Sequence, residues 1–151
     1  MTTAEPAAPP AAVGDALPAV AVIVPALNEA AALERLLPVL RPFGLGQVLV
    51  CDNGSTDETA QVAAAAGATC VLEPRRGYGS ACQAGLRSLA AGIAVVVFLD
   101  ADLSDDPAQL PALVAPILAN EADFVLGARV AALREPGSMT LPQAVGNRLV
   151  P

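Results

Sequence analysis

Five short runs of apolar, β-prone residues recur along the chain, at 20–24, 48–51, 69–72, 95–99 and 124–126, and none alternates with polar residues. A strand with one wet face alternates, whereas a strand covered on both faces reads as a continuous apolar run. The runs therefore predict a parallel sheet held between two layers. Helix-forming stretches separate them. Leu33, Leu36, Leu37 and Leu40 fall at helical spacing within 29–40, 56–66 and 80–91 are Ala-rich, and 107–119 is the fourth. Strand, helix, strand in repetition predicts right-handed crossovers and an open, mostly parallel, twisted α/β sheet flanked by helices.

Local signals mark the helix ends. Ser55 and Glu58 have the spacing of a capping box. Asn28 is placed to cap the first helix, and Asp106-Pro107 reads as an N-cap followed by proline at the first helical position. Gly67 and Gly92 suit helix C-termini.

A chain of 151 residues, 54% hydrophobic, suffices for one domain with a real core, and with only 3% aromatics that core must be built from Ala, Val and Leu. The net charge is -7, with eight arginines and no lysine. That balance argues against nucleic-acid binding and against a polybasic hold on an anionic membrane. Three cysteines without a CxxC spacing, and no histidine, exclude a Cys/His zinc site. The thiols are expected to be reduced and buried in a cytoplasmic protein, at most peripheral to the inner face of the plasma membrane. No apolar run reaches the roughly 18 residues of a membrane span, so no transmembrane segment is expected. Residues 1–18 are rich in Ala and Pro, with no basic start and no continuous apolar core; they read as a disordered tail, not a signal peptide, ahead of a domain over 19–151.

In open α/β sheets ligands bind beyond the carboxyl ends of the strands. Polar chemistry follows every run here: Pro25-Ala-Leu-Asn-Glu29, Asp52-Asn-Gly-Ser-Thr-Asp57, Glu73-Pro-Arg-Arg-Gly-Tyr-Gly79, Asp100-Ala-Asp102 and Gly127-Ala-Arg129. The sharpest of these is the fourth, where four aspartates fall within 100–106. At ~4 Å and an effective dielectric near 20, a pair of like charges costs about 4 kcal/mol. A divalent cation offsets that cost, and hard carboxylate oxygens select Mg2+ or Mn2+, which shares its shell with water and substrate phosphates. In an extended segment, residues two apart face one side, so Asp100 and Asp102 can address one spot. Asp102 is the candidate for metal or diphosphate, and Asp100 for the nucleotide ribose or for the metal, through water. Asp105 and Asp106 read as a solvated turn and a helix cap.

Asp52, directly after a strand, is placed to hydrogen-bond a base or ribose, or to serve the Asn53-Gly54 turn. Asp57 reads as a first-turn acid. Gly77-Tyr-Gly79 is part of a dinucleotide fingerprint, but after the third strand instead of the first, which argues against NAD. A glycine loop beside a nucleotide fits better, with Arg75 or Arg76 near phosphate or simply on the surface. Pro25 locks the chain as it leaves the first strand, and Glu29 is either a pocket residue or a first-turn acid.

Taken together and in this order, Val22-Ile-Val-Pro-Ala-Leu-Asn-Glu29, Asp52-Asn-Gly-Ser-Thr-Asp57 and Phe98-Leu-Asp-Ala-Asp102 resemble family 2 glycosyltransferases, above all the dolichyl- or polyprenyl-phosphate sugar synthases. The resemblance covers about 20–147. It implies the GT-A fold and a DxD-type metal motif for Mg2+ or Mn2+. It also implies inverting transfer of a sugar from UDP or GDP, with a polyprenyl phosphate as acceptor. Residue by residue, Pro25, Ala26, Asn28, Glu29 and Asp52 would line the nucleoside pocket. Asp100, Ala101 and Asp102 would meet ribose, diphosphate and metal, and Arg129 would lie near the phosphates. Where the synthases often place a glutamine two positions after the DxD, this chain has Ser104. Family members also continue beyond the 146–148 region into an acceptor site, so the sequence supports a second expectation, a donor-binding module without turnover. A sugar nucleotidyltransferase is a weaker third, since its glycine- and basic-rich signature is absent after the first strand.

Overall fold

The computed structural model describes residues 16–127. Four parallel strands, β1 (Val20–Ala26), β2 (Gln47–Asp52), β3 (Thr69–Leu72) and β4 (Val95–Phe98), form one sheet in the order β3-β2-β1-β4. Four α-helices connect or follow them: α1 (Ala30–Leu40), α2 (Thr59–Ala65), α3 (Tyr78–Arg87) and α4 (Leu110–Leu118), with 3-10 turns at Arg41–Phe43 and Pro107–Gln109.

The non-alternating runs have the cause the sequence suggested. In β1, Val22 and Val24 pack with Leu33, Leu36, Leu37 and Leu40 of α1 and Ala63 of α2, while Ala21 and Ile23 pack with Ala81 of α3 on the other face. β4 joins the first face through Val95, which meets Val20 and Val114 of α4. Every residue from Val20 to Val24 is fully buried, and each such aliphatic side chain contributes about 1.5–3 kcal/mol on leaving water. The α3 layer lies unusually close. A Cβ on Gly85 would stand 2.7 Å from Ile23 Cγ2 and 2.9 Å from Cys51 Sγ, so only glycine admits the helix to this distance.

Several local expectations are corrected. The run 124–126 is not a strand: it has no ladder among the described residues, and Phe124 and Leu126 are 77% and 79% exposed. Apolar character supplies a face to bury, but a strand also needs a paired neighbour for its backbone. The capping box at Ser55 and Glu58 does not form. α2 starts at Thr59, and the Ser55 hydroxyl instead accepts a hydrogen bond from Asn28 N at 2.8 Å. Asn28 does not cap α1 either; it sits at φ 58° with its carbonyl oxygen turned to Thr56 N, 2.8 Å away. The first amides of α1 are served from the neighbouring loop, Glu29 N by Thr59 Oγ1 (2.9 Å) and Ala30 N by Asp57 Oδ2 (3.2 Å). Asp106 does cap its helix, accepting from Ala108 N at 3.0 Å. Gly67 ends α2, while Gly92 lies in the turn before β4, past the end of α3 at Arg87. Leu17, assigned by sequence to the tail, already belongs to the fold: it packs on the core and its amide donates to Phe43 O at 3.0 Å.

Candidate functional site

Chain order and strand order diverge at β1. From there β2 and β3 build outward on one side, and β4 returns to the other. Such a switch point leaves a crevice at the carboxyl ends of the two strands that flank it. The structure has a cleft of about 380 Å3 at this place, with Pro25, Ala26 and Leu27 from the end of β1 and Asp100, Ala101 and Asp102 from beyond β4. Its other walls are Glu29, Asn53, and the group Arg76, Gly77, Tyr78 and Ala81 around the start of α3.

The Asp100-Ala-Asp102 segment is not the extended continuation the sequence suggested. β4 ends at Phe98, the ladder reaches one residue further through Leu99 N to Ile23 O (3.1 Å), and 101–102 form a turn closed by Leu103 at φ 60°. Ala101 is buried and anchors that turn, so both flanking carboxylates reach the cleft by way of a bend, not by strand alternation. Asp102 Oδ1 accepts from Ser104 N at 2.8 Å, and Asp100 Oδ1 accepts from the Tyr78 hydroxyl at 3.3 Å. Desolvation of its hydroxyl end, on a side chain otherwise largely exposed, and the facing Asp100 charge push the Tyr78 phenol up to about 12, so it keeps its proton near neutrality and acts as a donor.

Asn53 organises the opposite wall. Its Nδ2 donates to the carbonyls of Glu73 (2.9 Å) and Arg75 (2.7 Å), and its Oδ1 accepts from Gly77 N at 2.7 Å. Gly77 has φ 122° and ψ 140°, a conformation open essentially only to glycine. There the chain leaves the loop and starts α3. The two arginines of the loop separate. Arg75 is held by the buried Glu73, with Nε and Nη2 at 3.0 and 2.9 Å from its two oxygens, and Arg87 joins the pair at 3.0 Å. The Arg75 hydrogen bonds, with both guanidinium charges, hold the Glu73 carboxyl down to about 2. Arg76 has no such partner among the described residues and lines the cleft.

Of the sequence candidates, the cleft brings together Pro25, Ala26, Glu29, Gly77, Asp100, Ala101 and Asp102. Asn28 and Asp52 are not among its walls. Asn28 ties two loops as described, and Asp52 is buried with Oδ1 accepting from Ser55 N, a backbone amide of its own turn, at 2.8 Å. Arg129 lies outside the described residues, as does Ala128. The sequence motifs give Asn53 only as turn chemistry and Tyr78 only within the partial fingerprint Gly77-Tyr-Gly79; that Tyr78 is the chain's single tyrosine is the one available signal.

Two carboxylates facing a cleft from one turn suit a hard divalent cation that keeps open positions for phosphate oxygens and water. Among the described residues no three His, Cys, Asp or Glu side chains converge to hold a metal ion. No helix of the described residues is long and apolar enough to cross a membrane.

The family model described as glycosyl transferase family 2 matches residues 21–150. The chain belongs to glycosyltransferase family 2. This family 2 chain is 50% identical over 111 residues to an uncharacterized glycosyltransferase of Mycobacterium tuberculosis, covering 74% of this chain and 49% of that one. It is 38% identical over 112 residues to glucosyl-3-phosphoglycerate synthase of Mycolicibacterium smegmatis, with 66% and 36% covered. A crystal structure of glucosyl-3-phosphoglycerate synthase from Mycobacterium tuberculosis, in complex with Mn2+, uridine diphosphate and glucosyl-3-phosphoglycerate, is similar with a TM-score of 0.59 at 33% identity, over 66% of this chain and 39% of that one. The sheet is thus of the GT-A type that the sequence motifs implied. The chain spans about half the length, or less, of these relatives.

Proposed function

We propose that the β1–β4 cleft binds a nucleoside diphosphate sugar together with Mg2+ or Mn2+, and that the protein transfers the sugar with inversion to a phosphate-bearing acceptor. The observation that carries this reading is the convergence of Asp100 and Asp102 with Arg76 and the start of α3 on one cleft at the switch point. An acidic cleft repels a diphosphate unless a cation intervenes. When bound, the cation supplies Lewis-acid stabilisation of the leaving diphosphate. Asp100 and Asp102 would hold it, with Arg76 adding a charge to the diphosphate and the α3 amides a partial positive end. Pro25, Ala26 and Glu29 would line the nucleoside part, and Arg129 would approach the phosphates. Uridine diphosphate is the favoured donor nucleotide, on the likeness to a synthase crystallised with it; guanosine diphosphate is the alternative.

For the acceptor we propose a polyprenyl phosphate, on the motif resemblance. Its phosphate oxygen is anionic already, so attack on the anomeric carbon needs no strong general base. A small phosphorylated acid is the second reading, supported by the likeness to glucosyl-3-phosphoglycerate synthase. Calorimetry of UDP and GDP with and without Mn2+, followed by transfer assays with the matching sugar donor, tests both parts. Metal-dependent binding is expected. Binding without any transfer would reduce the reading to a donor-binding module, and no metal-dependent binding of either nucleotide would overturn it.

A further inference from the structure

We propose that Tyr78 is a positioning residue for the cation site, acting through Asp100. Among the described residues the Tyr78 hydroxyl is the one hydrogen-bond donor shown on the Asp100 carboxylate, at 3.3 Å. Asp102 is tethered from within its own turn by Ser104 N, whereas the tether on Asp100 comes from a different layer. Tyr78 is the first residue of α3, and Gly77, just before it, is gripped by Asn53 at the end of β2. β1 lies between β2 and β4 in the sheet. Contacts from the Asn53 side chain to the Gly77 amide, and from the next residue's hydroxyl on Tyr78 to Asp100, therefore run from the end of β2 to the end of β4, across the Pro25–Ala26 wall of the cleft.

Donors that orient a ligating carboxylate set its readiness to take a metal, and losing one typically weakens metal affinity by about 10–100-fold. The 3.3 Å separation exceeds the usual ~2.7–2.8 Å for hydroxyl to oxygen, and such contacts tighten when a site fills. A purely structural role for Tyr78 is a poor fit, because the residue is 60% exposed. Its hydroxyl can be removed with little change to the core, which makes the two roles separable.

The inference rests on the reading of Asp100 and Asp102 as cation ligands, and the test distinguishes the two failures. Tyr78→Phe is compared with wild type by calorimetry of UDP with and without Mg2+. The expected result is about a 10–100-fold loss of the enhancement that Mg2+ gives to UDP affinity, with thermal unfolding as in wild type. A second readout uses the single tyrosine in a chain without tryptophan. Adding Mg2+ with inorganic pyrophosphate should change wild-type tyrosine emission, and Asp100→Asn should remove that change. Equal or tighter Mg2+–UDP binding by Tyr78→Phe, or silent tyrosine emission in a protein that binds Mg2+–UDP, would overturn the role of Tyr78 alone. Wild-type protein with no Mg2+-dependent UDP binding would overturn it together with the site.

Discussion

Asn53 Oδ1 accepts the amide proton of Gly77 at 2.7 Å, fastening the start of α3 to the end of β2. The same side chain bonds two more backbone groups, the carbonyls of Glu73 and Arg75. One buried amide thus determines where the third loop turns, and with it where Arg76 and Tyr78 stand. Leaving a buried backbone group without its partner costs about 1–3 kcal/mol. Asn53→Ala is expected to lower unfolding free energy by at least that amount in urea titrations and to speed hydrogen exchange at Gly77. Exchange at Gly77 equal to wild type would show that something else holds the loop.

Asp102→Asn keeps the shape of the turn and one oxygen for Ser104 N but removes a charge from the cleft. UDP affinity in Mn2+ should fall to the metal-free level, with an unaltered far-UV spectrum. A variant that still responds to Mn2+ would remove Asp102 from the cation site.

The two arginines of the loop should separate in experiment as they do in space. Arg76→Ala is expected to weaken UDP binding while leaving unfolding free energy within about 0.5 kcal/mol of wild type, as for ordinary surface substitutions. Arg75→Ala should lower stability through Glu73 and touch binding less. The reverse pattern would place Arg75, and not Arg76, beside the diphosphate.

Glu73 gives a pH signature. Its folded carboxyl is held down to about 2 against an ordinary 4.5, because Arg75 and Arg87 favour the charged form. A depressed acid stabilises the fold above its unfolded value, and that contribution is lost as pH falls from about 4.5 through about 2. Thermal unfolding across this window should drop less steeply in Glu73→Gln than in wild type. Identical slopes would mean that the ion pairs add nothing measurable.

Within α3, two glycines should respond with opposite signs. Gly85→Ala would drive a Cβ to 2.7 Å from Ile23 Cγ2, and such overpacking costs typically about 1–3 kcal/mol. Gly79 has nothing within 4 Å, so Gly79→Ala should gain up to about 1 kcal/mol from helix propensity. Chemical denaturation of both variants checks the pair; a stabilised Gly85→Ala would mean that the helix can move off the sheet.

Sequence alone carried the layered architecture, because a strand buried on both faces must be apolar at every position, as in 20–24, and a helix on one face must repeat like Leu33, Leu36, Leu37 and Leu40. The residues it singles out after the first and fourth strands do line one cleft. What depends on partners distant in the chain was not legible. Asp52 and Asn53 are neighbours with similar polarity, yet Asn53 faces the cleft and braces it while Asp52 turns to Ser55 N. Arg75 and Arg76 are identical side chains, told apart only by the position of Glu73. The apolar run at 124–126 met no strand to pair with among the described residues. Periodicity is a local property and is written in the chain, whereas the direction of a polar side chain is set by whichever donor or acceptor the fold brings within about 3 Å of it, and that only the tertiary structure decides.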